Sequence, residues 1–285
     1  MSHRIPDWCS LLFVPANKPK LIEGAHKRGA DALIVDLEDA VPLHEKPAAR
    51  QALTGVLALL GSQGLEVIVR VNAQPEQLQE DLQACRRAGV RTLMLPKVES
   101  PAQLAALDAQ LATVNQVSGP AFDPAVIALI ESPLAVLGVN AIAAAPRVVG
   151  LALGSEDFAL SLGVAPCAAS LALPCQWLAL AAAAHGKRGY GLAHSLADFS
   201  DLEAFLEAAR LARSTGLHGA LCIHPAQVAL VNTAFMPSSA DLAWARQVVA
   251  AWEGAADGIA RLGETMIDRP VIARARLLLQ QGARP

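Results

Sequence analysis

Apolar residues along this chain gather in eight short runs: Ser10–Ala16, Ala32–Glu38, Val67–Asn72, Thr92–Val98, Val126–Ser132, Val148–Gly154, Tyr190–His194 and Gly219–His224. Most are continuous Val/Ile/Leu stretches without polar alternation, the pattern of strands covered on both faces. Between them the apolar spacing turns helical. Leu21, Ile22 and Ala25 share a face within Lys18–Arg28, as do Leu78, Leu82 and Cys85 within Gln77–Ala88. Ser100 and Ser132 are each followed by proline, an N-cap and first-position pair that opens helices at Pro101 and Pro133. Leu202–Thr215 is capped by Asp201 and stopped by Gly216. The longest apolar run, Cys167–His185, contains Pro174 and Gln176 and reads as a buried helix, not a membrane span. Strand and helix alternating about eight times predict a closed (β/α)8 TIM barrel of α/β class, with a doubly wound open sheet as the alternative. Helical patterns near Gln227–Asn232, Asp241–Trp252 and Pro270–Gln281 exceed what a barrel needs. The expected organisation is therefore a barrel over 1–230 and a helical extension over 231–285 that packs on a neighbouring subunit or caps the barrel.

Composition narrows the function. Of 285 residues, 53% are hydrophobic and 17% charged, far too apolar for disorder. A net charge of −3 gives no basic footprint for nucleic acid. The stretch Met1–Trp8 has no apolar leader core, so a cytoplasmic protein without a membrane segment is expected. Cys9, Cys85, Cys167, Cys175 and Cys222 form no CxxC pair and read as buried thiols rather than zinc ligands.

The few charges fall where a barrel carries its chemistry, at the C-terminal ends of the strands. Those ends read Asp36-Leu37-Glu38-Asp39, Arg70-Val71-Asn72, Pro96-Lys97, Glu131-Ser132, Gly154-Ser155-Glu156-Asp157 and His224-Pro225. Glu131 and Asp157, on adjacent strand ends, suit Mg2+ (or Mn2+), with water and substrate completing the octahedron. Asp36 and Glu38 lie two apart and need a local bend to reach the rim together, where they would hold water around the ion. Arg70 offers a donor fork for a carboxylate or an enolate oxygen. Gly154-Ser155 allows close approach of a ligand to the backbone. Singly, each acid also reads as a helix cap, Lys97 as an ion-pair partner for the acids, and His224 as a structural hydrogen bonder.

Taken in order, these motifs resemble a known family. Leu11-Leu12-Phe13-Val14-Pro15, Asp36-Leu37-Glu38-Asp39-Ala40-Val41-Pro42, Arg70-Val71-Asn72, Leu95-Pro96-Lys97-Val98, Ile130-Glu131-Ser132, Gly154-Ser155-Glu156-Asp157 and Ile223-His224-Pro225-Ala226-Gln227 are similar to the citrate lyase β-subunit-like family, within the HpcH/HpaI group of metal-dependent aldolases and citrate lyases. The likeness runs from about Ser10 to Ala275. It implies a TIM barrel, Mg2+ on Glu131 and Asp157, an acyl-CoA substrate and a homotrimer or hexamer. It also implies Arg70 at the substrate carbonyl and Phe13 and Lys20 near the thioester and CoA, with Gly154, Ser155 and His224 as further substrate contacts. Gly263-Glu264-Thr265-Met266-Ile267-Asp268 resembles a segment whose Asp is the catalytic acid/base in a neighbouring subunit's site, a role that falls to Asp268. Read without the family, Asp268 is a helix cap before Arg269-Pro270. Cys9 stands where the family usually has Arg, and Gly219-Ala220 where it often has Gly-Lys, departures that bear on CoA affinity and substrate choice. The implied reaction splits a β-hydroxyacyl-CoA of citramalyl-CoA or malyl-CoA type into acetyl-CoA and an α-keto acid. The alternatives are a citryl-thioester lyase subunit, a CoA-independent pyruvate aldolase and a non-catalytic CoA-binding homologue.

Overall fold

The computed structural model describes residues 5–117, 119–254 and 260–283, so the first four residues of the stretch read as lacking a leader lie outside it. Eight strands form one parallel sheet: β1 Ser10–Pro15, β2 Ala32–Asp36, β3 Glu66–Arg70, β4 Thr92–Leu95, β5 Ala125–Ile130, β6 Val148–Leu153, β7 Arg188–Tyr190 and β8 Ala220–Cys222. Their order is β7-β6-β5-β4-β3-β2-β1-β8. A parallel bridge between Tyr190 and Gly219 joins the two ends, with the Gly191 amide donating to the Gly219 carbonyl at 3.0 Å and the His218 amide to that of Gly189 at 2.7 Å. The sheet is thus a closed TIM barrel and the open-sheet alternative falls away. Every residue of β2, β4, β5 and β6 is buried, which is why those runs show no alternation. Where β8 begins, the backbone presses on the chain entering β1. A Cβ on Gly219 would lie 2.0 Å from the Cys9 carbonyl oxygen, so only glycine fits.

The helices α1 Pro19–Glu23, α2 Lys46–Ser62, α3 Pro75–Ala88, α4 Pro101–Val114, α5 Pro133–Leu137, α6 Val139–Ala143, α7 Ser155–Leu162, α8 Ala168–Ala184 and α9 Leu202–Ser214 surround the strands. The caps act as expected. Ser132 Oγ accepts from the Ala135 amide at 3.2 Å, Asp201 Oδ1 from the Ala204 amide at 2.9 Å, and Ser100 forms a capping box with Gln103. Two expectations change. The helix over Lys18–Arg28 breaks at Gly24 into α1 and a 3-10 turn, Ala25–Arg28. The run Cys167–His185 becomes a helix buried on one face only: Leu171, Cys175 and Leu178 point inward, while Leu173, Trp177 and Leu180 are exposed. Helices α5 and α7, which touch α8, carry exposed Leu134, Leu137 and Leu160 as well.

The chain divides into two compact units, Met1–Asn232 and Thr233–Pro285. Helix α10, Pro225–Phe235, crosses the boundary. The second unit contains α11 Ser239–Glu253, a hairpin of β9 Ala260–Leu262 and β10 Thr265–Ile267, and α12 Arg269–Gly282. It has a small core of its own, with Val248, Ile267, Ile272, Ala275 and Leu278 packed against Trp244 and Trp252. The hairpin is an addition to the helices expected there. Among the described residues no helix is long and apolar enough to cross a membrane.

Candidate active site

At the mouth where the strands end lies a cavity of about 420 Å3, lined among others by Phe13, Asp36, Arg70, Glu131, Gly154, Ser155 and Asp157. Arg70, the last residue of β3, organises one side. Its Nε and Nη2 donate to the two carboxylate oxygens of Asp36, each at 2.7 Å, and its Nη1 lies 3.0 Å from Glu38 Oε2. Its guanidinium carbon sits 4.8 Å above the Phe13 ring, which adds a cation–π contact. Asp36 also accepts from the Glu38 and Ala40 amides at 2.9 and 3.1 Å. Those bonds make the bend after β2 that turns Glu38 back toward Arg70. Both acids are thereby paired with Arg70 at the rim. Burial works against the guanidinium, but the Asp36 bonds and the charges of Glu38 and Asp39 more than offset it and push its pKa up.

Lys97 links this network to the other side. Its ammonium lies 2.7 Å from Glu38 Oε1, so it is the ion-pair partner expected for the acids. Its backbone takes φ 56°, the one positive value for a non-glycine among the described residues. Such a turn costs about 1–2 kcal/mol. It aims the Lys97 amide at Glu131 Oε2, 2.7 Å away, while the Lys97 carbonyl accepts from Gln103 Nε2 at 3.0 Å.

Glu131 follows β5 and is buried. Its carboxyl is pushed up to about 8, first by burial and further by the charges of Glu38 and Asp157, against the Lys97 amide and Arg70. Gly154 makes room for it, since a Cβ there would lie 2.6 Å from Glu131 Cγ and 2.8 Å from Oε1. Asp157 stands in the first turn of α7. Among the described residues no three His, Cys, Asp or Glu side chains gather as a metal-binding group. A donor set of two carboxylates beside open cavity excludes a closed zinc site. It fits a hard cation that takes its other ligands from water and substrate, and a cation there would satisfy a carboxyl now held against its charged form.

Of the remaining residues named from sequence, Lys20 is exposed on α1 and does not line the cavity. His224 is exposed, stacks on Phe199 with ring centres 4.8 Å apart, and takes the Ala226 amide on Nδ1 at 3.2 Å. Asp268 caps α12, accepting from the Val271 amide at 3.1 Å, and belongs to the second unit. Glu156 plays a part that its position in the motif did not reveal. Its Oε1 accepts from Ser195 Oγ and the Leu196 amide, both at 2.8 Å, while Gln227 Nε2 donates to the Leu196 carbonyl at 2.8 Å. These bonds fix Leu196 as an apolar wall of the cavity.

Known proteins match this architecture. A profile of the HpcH/HpaI aldolase/citrate lyase family covers residues 9–225. The citrate lyase subunit beta of Haemophilus influenzae is 32% identical over 280 residues, covering 95% of this chain and 96% of that one. The (3S)-malyl-CoA thioesterase of Cereibacter sphaeroides is 31% identical over 285 residues, covering 98% and 96%. The crystal structure of CitE from Mycobacterium tuberculosis, in complex with magnesium, acetoacetate and coenzyme A, superposes with a TM-score of 0.80 at 32% identity, covering 97% of this chain and 98% of that one. The chain belongs to the HpcH/HpaI aldolase/citrate lyase family, as a citrate lyase β-subunit-like carbon–carbon lyase.

Proposed function

We propose that the protein cleaves a β-hydroxyacyl-CoA of the citramalyl-CoA or malyl-CoA type to acetyl-CoA and an α-keto acid, with Mg2+ as its ion. The observation that carries this reading is the convergence of Glu131, Asp157 and Arg70 on one cavity at the mouth of the barrel. Glu131 and Asp157 would hold Mg2+, which when bound lowers the pKa of the substrate hydroxyl and polarises the oxygen left on the keto acid. The bond between the hydroxyl-bearing carbon and the carbon next to the thioester breaks, and its electron pair passes to the acetyl-CoA enolate. Arg70 stabilises the enolate oxygen, held in place by Asp36 and Glu38 so that no reorganisation is needed as charge develops. Asp268, supplied by a neighbouring subunit, protonates the enolate carbon. Leu196 and Phe13 give the acyl group apolar contact. Assembly as a homotrimer or hexamer is supported by the exposed leucines and Trp177 on α5, α7 and α8. In the family relatives named above, citrate lyase subunit beta and malyl-CoA thioesterase stand for two chemistries on similar chains.

The test incubates the protein with citramalyl-CoA and malyl-CoA, with Mg2+ and with chelator, and follows keto acid, acetyl-CoA and free CoA together. Metal-dependent release of acetyl-CoA and keto acid in equal amounts is expected. Free CoA with an intact hydroxy acid would replace cleavage by thioester hydrolysis. Turnover that survives chelation would overturn the metal assignment.

A further inference from the structure

The bend after β2 carries the acids that aim Arg70, and a second polar network outside the cavity holds that bend. Lys46, the first residue of α2, is buried, and each of its three ammonium donors is used. They reach the Leu37 carbonyl at 2.7 Å, the Glu38 carbonyl at 2.6 Å and Asn72 Oδ1 at 2.8 Å. Asn72 returns its own amide to the Leu37 carbonyl at 3.0 Å and to Asp81 Oδ2 at 2.7 Å. Asp81 is fully buried and takes Arg50 Nε on its other oxygen at 2.6 Å. The line from Arg50 through Asp81 and Asn72 to Lys46 thus ends on the backbone of Leu37 and Glu38.

Glu38 is tied down at its backbone and ion-paired through its carboxylate. Its amide goes to Asp36, its carbonyl to Lys46, and its two carboxylate oxygens face Arg70 and Lys97 at 3.0 and 2.7 Å. A shift of its backbone would therefore move the carboxylate against Arg70. Tying down a loop does not by itself call for an ammonium. Burying one costs several kcal/mol, and the start of a helix is the end that disfavours a cation. A residue that opposes both rules marks a requirement beyond local stability.

We propose that Lys46 is a positioning residue for the lyase reaction: through the Leu37 and Glu38 carbonyls it fixes the Glu38 carboxylate, which together with Asp36 aims the Arg70 guanidinium at the substrate. This rests on the role given to Arg70 above. Lys46 does not line the cavity and bonds neither Glu131 nor Asp157, so its loss acts on turnover and not on the metal.

The experiment compares wild type with Lys46→Met, which keeps the length and removes the donors, and with Asn72→Ala, which keeps the ammonium and removes one of its acceptors. Three readouts are taken on each: Mg2+ affinity by calorimetry, kcat and KM for cleavage, and the Nε–H signal of Arg70 in 15N-arginine-labelled protein, assigned by its loss in Arg70→Lys. For Lys46→Met we expect Mg2+ affinity within about threefold of wild type and kcat lowered about 10- to 100-fold, as for a catalytic group displaced by up to 1 Å. The Arg70 signal should shift or broaden. Asn72→Ala should show the same pattern in weaker form. Unchanged kcat in either folded variant overturns the proposal, and so does a fall in kcat with an unmoved Arg70 signal. If wild type releases no acetyl-CoA and keto acid from either substrate, the lyase reading fails, and the Arg70 signal alone then decides whether Lys46 governs that side chain.

Discussion

Replacing Gly154 by alanine tests the metal site through sterics alone, with no change of charge or hydrogen-bonding group. The added methyl would stand 2.6 Å from Glu131 Cγ, 2.8 Å from Oε1 and 3.2 Å from Cδ. Ordinary contact begins near 3.4 Å, so Glu131 must retreat by about 1 Å. The crowding costs about 1–3 kcal/mol of stability. The retreat also breaks the 2.7 Å bond from the Lys97 amide, the contact that orients the carboxylate. Disturbing a ligand's orienting partner commonly costs about 10- to 100-fold in metal affinity, and that is the expected loss here. Calorimetric titration of chelator-treated protein with Mg2+ measures it directly, and denaturant unfolding measures the stability term. Gly55→Ala is the control: it lies within α2 with nothing within 4 Å of the new methyl, so it should stabilise the fold by about 0.5–1 kcal/mol and leave Mg2+ binding alone. Wild-type Mg2+ affinity in Gly154→Ala would refute the reasoning. A fall in stability without a fall in affinity would make Glu131 a packing residue rather than a ligand.

Four further outcomes are expected. Arg70→Ala leaves Asp36 and Glu38 buried beside one cation fewer, so urea unfolding should register a loss of about 3–5 kcal/mol, alongside at least a 100-fold fall in kcat. Asp268→Asn separates capping from catalysis, because asparagine caps as well as aspartate; thermal unfolding should barely move while cleavage collapses, and a variant with full activity would remove Asp268 from the chemistry. The raised Glu131 carboxyl gives a pH signature in the metal-free protein. Between the ordinary value of 4.5 and about 8 the folded state keeps a proton that the unfolded state has lost, so this group's contribution to stability falls as pH rises through that window. Mg2+ supplies the missing countercharge only to the carboxylate, so the rise in Tm on adding it should be larger at pH 8 than at pH 6. Finally, Leu180→Lys places a charge in the exposed apolar face of α8, and light scattering should show smaller assemblies at equal concentration.

The barrel was legible because its strands are buried on both sides, and double burial leaves a continuous apolar run that nothing else in a short segment produces. The placement of Glu131, Asp157 and Arg70 followed from strand ends alone. What stayed hidden depends on which side of an element faces inward. Nothing in the apolar spacing singles out Lys46 or Asp81, yet Asp81 is fully buried and Lys46 nearly so. Glu156, one residue from Asp157, is pointed by the first turn of α7 at Leu196, which its place in the motif does not show. The left-handed turn at Lys97 has no mark in Leu95-Pro96-Lys97-Val98, since lysine is no better suited to it than its neighbours. The β9–β10 hairpin is three residues per strand, too short to show a period of two.

The seam where β7 and β8 meet sets an order of assembly. Strands β1 to β6 each pair with the strand that follows them, but the ring closes only when residues 219–222 meet Cys9–Leu12 on one side and Gly189–Gly191 on the other. Until the ribosome has delivered that segment, β1 and β7 are bare edges, free to pair with another nascent chain. Because β8 contributes Leu221 but no carboxylate to the cavity, the acids and Arg70 can gather at the ends of β2 to β6 before closure, and the last strand is the latch that completes the apolar wall.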